Sequence, residues 1–341
     1  MTTSFKIDDV PDLTGKVAIV TGATSGIGVE TAYLLARRNC TVYIAARNQH
    51  KAEEVISALQ KRLFPATHGV GEIAFHHLDL LDIKATHASA QKFLAQHDRL
   101  DIIIANAGTA FDPIDELSVD GYDVTFHTNH LGHFTFVTAL LPLLEKTAQV
   151  NGGDARVVVT SSLAYHFVAS EGIDFDTIGT KREGDGQSIL DMKATGKRYG
   201  RSKMANILFA QELDRRLKER GVEGVRVNAC HPGAIGDTGL GGTSKFGIPH
   251  AIGNIAHRAM GLVSFSPQEG AMTQIYLATH NAVKSEDIRG MFYAPVMTWF
   301  MRYDYSAVLD VSSALKHGDA EKLWEWSENA VRKSLAGGLE G

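Results

Sequence analysis

The stretch Lys16-Val17-Ala18-Ile19-Val20-Thr21-Gly22-Ala23-Thr24-Ser25-Gly26-Ile27-Gly28 decides the fold. Its first six residues, apolar from Val17 to Val20, have the pattern of a short buried strand. The run passes directly into glycines spaced G-x-x-x-G-x-G, at Gly22, Gly26 and Gly28. Val29, Ala32, Leu35 and Ala36 then recur at helical spacing through Arg38. A glycine-rich turn between a strand and a helix lets backbone N–H groups approach a pyrophosphate at the positive helix end. Glycine is required because a Cβ would block that approach or forbid the backbone angles. The spacing differs from the common fingerprint G-x-G-x-x-G.

Outward from this turn, strand and helix patterns alternate. Thr41 to Ala46 reads as a second strand, with Arg47 and Asn48 at its end and no acidic residue until Glu53. An acidic residue there would bind the ribose 2′-hydroxyl of NAD, whereas an arginine suits a 2′-phosphate. Arg47 therefore favours NADP(H), with Lys51 as a second cation; the alternative is a plain surface arginine. A helix is expected over Gln49 to Leu63. Ile73 to Leu78 is a third strand, followed by Asp79-Leu80. Asp79 either accepts from the adenine amino group or caps a helix starting near Ile83. Leu100 to Ala105 is a fourth strand, apolar enough to be buried on both faces, and it ends in Asn106-Ala107-Gly108. The small Ala107 and Gly108 leave room for a flat adenosine.

Val119 to Glu145 reads as one long helix carrying Asn129, a poor helix former with a specific polar role or a solvent-facing position. His130 and His133 read as packing or surface residues. Arg156 to Thr160 is a fifth strand closed by Ser161-Ser162. A mostly irregular insert follows over 163–198. Tyr199 and Lys203 then lie one turn apart on one face of a helix running to about Arg220. A nearby ammonium favours the phenolate, so the pair can serve as a tuned acid/base. Val225 to Cys230 is a sixth strand broken by His231-Pro232-Gly233. The glycine-rich run over 234–261 reads as a lid. A helix from Pro267 to Thr279, a strand near Met291 to Ala294 and a helix from Asp319 to Leu335 complete the chain. With no break in composition, 1–341 is expected to be a single α/β domain around a parallel sheet.

Composition narrows the function. Hydrophobic residues make up 44% and charged residues 21% of the 341, which suits a globular protein with ample core. A net charge of -5 argues against nucleic-acid or anionic-membrane partners. Two cysteines cannot build a disulfide framework, and the 15 histidines show no metal-binding spacing, so no metal is expected. The first 25 residues hold no long apolar run and the longest apolar stretch is too short to span a bilayer, so a cytoplasmic location without a membrane span is expected.

Thr21-Gly22-x-x-x-Gly26-Ile27-Gly28, Asp79, Asn106-Ala107-Gly108, Asn129, Ser162, Tyr199-x-x-x-Lys203 and Pro232-Gly233 occur in an order that resembles the short-chain dehydrogenase/reductase family. The resemblance covers residues 14 to about 240. Asn129-His130-Leu131-Gly132-His133-Phe134, the long insert before Tyr199 and Leu323-Trp324-Glu325-Trp326-Ser327-Glu328 resemble its retinol-dehydrogenase-like branch. No counterpart of the N-terminal membrane segment of several such proteins is expected here. Ala105 departs from the family, which often has a second asparagine there.

The resemblance implies a Rossmann-type doubly wound sheet with helices on both faces, its active site beyond the carboxyl ends of the strands. It implies that Tyr199 is the general acid/base and that Ser162 binds the substrate oxygen, with Ser161 as the rival. Lys203 would lower the Tyr199 pKa and hold the nicotinamide ribose, and Asn129 would position a water in a proton relay. The implied cofactor contacts are Gly22, Thr24, Ser25, Gly26, Ile27, Gly28, Arg47, Asn48, Asp79, Leu80, Asn106, Ala107, Gly108, Tyr199, Lys203, Pro232, Gly233, Ile235 and Thr238. The insert and lid are expected to roof the pocket, made partly aromatic by Tyr165, Phe167 and Phe246, as suits a fairly apolar carbonyl or alcohol substrate. The assembly expected is a homodimer or homotetramer. Two other classes stay open: a redox-neutral isomerase or cyclase on the same fold, and a dinucleotide sensor without turnover.

Overall fold

Alternate residues of the central strands point to opposite sides of one sheet, and both sides are packed. Ile19, Ile103, Val157 and Val159 belong to one buried cluster, while Ala18, Val20, Ile102, Ile104 and Val158 belong to another. This period of two, apolar on both phases, explains the continuous hydrophobic runs in the sequence. The computed structural model describes residues 5–64, 70–110, 116–150, 152–178, 192–233, 265–297, 303–312, 315 and 318–337.

The sheet is formed by β1 (Val17–Thr21), β2 (Thr41–Ala46), β3 (Ile73–His77), β4 (Ile102–Ala105), β5 (Ala155–Thr160), β6 (Val225–Cys230) and β7 (Phe292–Tyr293). Their order is β3-β2-β1-β4-β5-β6-β7, and every pairing is parallel. On one side lie α1 (Gly26–Ala36), α2 (Gln49–Leu63) and α7 (Pro267–Thr279). On the other lie α3 (Ile83–Gln96), α5 (Gly132–Val150), α6 (Met192–Glu219) and α9 (Asp319–Ala336). A short α8 (Asn281–Ser285) and an antiparallel pair, β8 (Val296–Met297) with β9 (Tyr303–Asp304), were not expected from the sequence. The chain leaves β1 toward β2 on one side and returns after β3 to β4 on the other. A crevice therefore opens between the loops that follow β1 and β4, where doubly wound sheets bind ligands.

Three boundaries differ from expectation. The long helix starts at Val124 rather than Val119, because Leu117 bridges Asp123 across a turn and the Asp123 carboxylate caps the helix, accepting from Phe126 N–H at 2.6 Å. Its first turn, α4 (Val124–Phe126), passes into a π turn over His127–Leu131 before α5. The Tyr199 helix begins at Met192, so Tyr199 sits well inside it. The insert over 163–198 is less irregular than expected: it holds 3-10 turns at Leu163–Phe167 and Phe175–Thr177 and the first residues of α6, while 179–191 lie outside the described residues. The expected lid over 234–261, including Ile235, Thr238 and Phe246, also lies outside them.

Candidate active site

The carboxyl ends of β1, β4, β5 and β6 open on one cleft with two joined lobes of about 380 and 510 Å³. Gly22, Thr24, Ala107 and Thr128 line both. Gly22 has φ +67, and a Cβ there would stand 2.7 Å from Ala107 Cα. A Cβ on Gly28 would meet Asn106 Nδ2 at 2.7 Å and Ala23 Cα at 2.8 Å. Both glycines are thus demanded by the close approach of the β4 loop. Gly26 opens α1, whose N-cap Ser25 makes no side-chain capping bond. The cleft-facing Ser25, Ile27, Asn106 and Gly108 complete this cradle. The donors at the start of α1 and the lack of a filling Cβ suit a pyrophosphate. Arg47, Asn48, Lys51, Asp79 and Leu80 line the outer lobe. Asn48 also caps α2, accepting from Lys51 N–H at 2.9 Å. Asp79 is not the cap of α3. Asp82 is, accepting from Ala85 N–H at 2.8 Å, while Asp79 accepts from Leu81 N–H at 3.1 Å and faces the lobe.

At the inner lobe, Ser162, Tyr199 and Lys203 converge with Ser161, His231, Pro232 and Gly233. Ser162 caps the 3-10 turn after β5 and lies close enough to the Tyr199 phenol to lower its pKa. Ser161 does not compete for that place, because its buried hydroxyl donates to the Lys203 carbonyl at 2.6 Å. The expected depression of the Tyr199 pKa by Lys203 is not found. Burial pushes the phenol up to about 12, and the nearby Ser162 hydroxyl offsets only part of this. Lys203 is itself buried, and burial draws its ammonium down to about 8 against a smaller opposing effect of Cys230. Its Nζ donates to the Thr160 carbonyl at 3.1 Å and lies 5.4 Å from the Tyr199 ring centroid.

Asn129 occupies the π turn, fully buried. Its Oδ1 accepts from Thr109 N–H at 2.7 Å, and its Nδ2 donates to Thr109 O and to Ser202 Oγ, each at 2.9 Å. Ser202 in turn donates to the Tyr199 carbonyl at 2.7 Å. Asn129 therefore ties the β4 loop to the Tyr199 helix. A Cβ on Gly108 would stand 3.2 Å from Asn129 Oδ1 and 3.4 Å from Lys203 Nζ, which places the two groups beside each other.

His133, read from the sequence as a packing or surface residue, is buried and makes two polar contacts. Nδ1 meets the Asn129 carbonyl at 3.0 Å, and Nε2 meets Thr21 Oγ1 at 2.8 Å. A carbonyl only accepts, so Nδ1 carries the proton and Nε2 accepts from Thr21. Thr21 Oγ1 can then accept from Asn106 N–H and Ala107 N–H, both at 2.9 Å. Burial keeps His133 neutral, its pKa drawn down to about 4. Thr21, His133 and His231 were not among the expected site residues; a histidine four residues after Asn129 on a buried helix face was the available signal. The expected aromatic lining fails for the residues that can be checked. Tyr165 is buried against Phe292, and Phe167 is 62% exposed. Among the described residues no group of side chains could hold a metal, and no helix is long and apolar enough to cross a membrane.

A family model described as short chain dehydrogenase matches residues 16–172. A chloroplastic short-chain dehydrogenase of Brassica napus is 34% identical over 316 residues, covering 92% of this chain and 88% of that protein. Retinol dehydrogenase 14 of Homo sapiens is 33% identical over 325 residues, covering 93% and 86%. This chain belongs to the short-chain dehydrogenase/reductase family. The likeness to the human protein supports the retinol-dehydrogenase-like branch that Asn129–Phe134, the insert before Tyr199 and the terminal motif had suggested. A solved structure of an uncharacterized protein from Mycobacterium paratuberculosis superposes with TM-score 0.68 at 26% identity, covering 97% of this chain and 98% of that one. The family consists of oxidoreductases that use a nicotinamide dinucleotide, and the cradle described above fits one.

Proposed function

We propose that the protein is an NADP(H)-dependent reductase/dehydrogenase interconverting a ketone or aldehyde with an alcohol. The observation that carries this is the convergence of Ser162, Tyr199 and Lys203 on the same cleft that the glycine cradle lines. The dinucleotide, when bound, supplies or accepts the hydride. Tyr199 holds its proton at neutral pH and donates it to the carbonyl oxygen in reduction. Ser162 hydrogen-bonds that oxygen as charge develops on it. Lys203, mostly protonated at pH 7, stabilises the phenolate left behind and binds ribose hydroxyls. Asn129, beside Lys203, orients a water through which the proton is replaced. Arg47 and Lys51 at the outer lobe suit a 2′-phosphate. The human retinol dehydrogenase among the relatives supports an apolar substrate, which the position of Tyr165 and Phe167 does not. The two buried free cysteines suit a reducing compartment such as the cytoplasm. A homodimer or homotetramer is proposed for the assembly.

The test is incubation with NADPH and a panel of ketones and aldehydes. Substrate-dependent oxidation of NADPH is expected. Substrate conversion without it would replace this reading by a redox-neutral one, and binding without turnover by a sensor.

A further inference from the structure

Helix α7 is buried along residues Gly270 to Thr279, and within it Gln274 has no exposed surface. A buried carboxamide must place two N–H donors and an acceptor oxygen. Gln274 places all three on different elements. Nε2 donates to Asn106 Oδ1 and to Thr160 Oγ1, each at 2.9 Å. Oε1 accepts from Thr31 Oγ1 at 2.6 Å.

Each partner carries part of the cleft. Asn106 opens the loop after β4, and its Nδ2 donates to the Thr21 carbonyl at 3.0 Å directly behind Gly28. Thr160 ends β5 just before Ser161-Ser162, and its carbonyl accepts from Lys203 Nζ at 3.1 Å and Asn206 Nδ2 at 2.9 Å. Thr31 lies in α1, whose start forms the cradle.

The polarity of this chain of bonds is set from one end. The Thr21 carbonyl can only accept, so Asn106 must turn its NH₂ toward β1 and its oxygen toward Gln274. Gln274 must answer with its own NH₂, and its oxygen is left for Thr31. Without that donor, Asn106 Oδ1 on its half-buried side chain would lose its protein partner, and a rotated amide would set oxygen against the Thr21 carbonyl.

We infer that Gln274 is a positioning residue for the dinucleotide site. It holds the Asn106 amide in the orientation that backs the glycine cradle. This rests on the reading of the cleft as a dinucleotide site.

Titration of NADP⁺ binding by protein fluorescence, with thermal unfolding in parallel, tests it. Gln274→Met keeps the volume and removes the donors; it is expected to weaken NADP⁺ binding about tenfold, the size of one lost hydrogen bond. If Gln274 acts through Asn106, the double variant with Asn106→Ala binds no more weakly than Asn106→Ala alone. Multiplying effects in that cycle, or wild-type affinity with only a lower Tm, would overturn the inference. Gln274→Glu is read in the same way should Gln274→Met fail to fold. Its carboxyl regains a donor on protonation, so its affinity should improve relative to wild type as pH is lowered; a constant ratio overturns the inference. If the wild-type protein binds neither NADP⁺ nor NAD⁺, the reading of the cleft fails and the inference with it.

Discussion

The two ends of the cleft are built from different materials. The nucleotide end is mostly backbone: Gly22, Gly26 and Gly28 around a helix start, with the exposed cations Arg47 and Lys51 at the rim. The reaction end is made of side chains, with Lys203 and Asn129 almost wholly out of water and Tyr199 and Ser162 half-buried. Exposed charges act through solvent and are screened, so each contributes modestly. Buried groups act at short range in a medium that amplifies both their interactions and their desolvation. The nucleotide end should therefore govern affinity and the reaction end turnover.

Tyr199→Phe should expose the contrast most strongly. It keeps the ring and removes the proton donor, so turnover should fall about 10²-fold or more while NADPH affinity stays near wild type. Near-full turnover by the variant would refute the acid/base assignment. Gly22→Ala attacks the other end. Its Cβ would meet Ala107 Cα at 2.7 Å from a left-handed backbone costing about 1–2 kcal/mol for a non-glycine residue. Cofactor affinity should drop about tenfold or more, since about 1.4 kcal/mol corresponds to tenfold. Unchanged affinity in equilibrium titration would show that the cleft does not bind its cofactor through this turn.

Arg47→Asp sharpens the comparison by changing only a rim charge. A guanidinium bond to phosphate contributes about 1.5–3 kcal/mol when well formed, so a preference for NADP over NAD of about tenfold or more should shrink or reverse. Lys51 on the same lobe should blunt the change. Identical affinity ratios in wild type and variant would mean that Arg47 does not read the cofactor.

The smallest effect near neutral pH is on stability. Burial draws His133, His127 and His76 down to about 4 and His130 to about 3. The unfolded chain therefore binds more protons than the folded one between about pH 4 and 6.5. Their contribution is complete above about 6.5 and is lost as pH falls toward 4. The melting temperature should fall progressively on acidification through this window. A melting temperature that stayed level or rose over the same range would contradict the buried, neutral state of these rings.

The strand–glycine–helix unit at Lys16 to Gly28, the helices at Gln49–Leu63 and Pro267–Thr279 and the parallel sheet were all legible from the chain, because periodicity and turn chemistry are local properties. The Tyr199/Lys203 spacing was legible for the same reason: four residues along a helix share a face. Tertiary structure alone decided which of Ser161 and Ser162 is spent on the Lys203 carbonyl, and that Tyr165 turns into the core. It also decided that burial, and not Lys203, is the main influence on the Tyr199 pKa. His133 meets Thr21 across 112 positions and Gln274 meets Asn106 across 168. No local pattern encodes such partners. They follow from the strand order that brings distant segments together and from the need to pair every polar atom that the packing takes out of water.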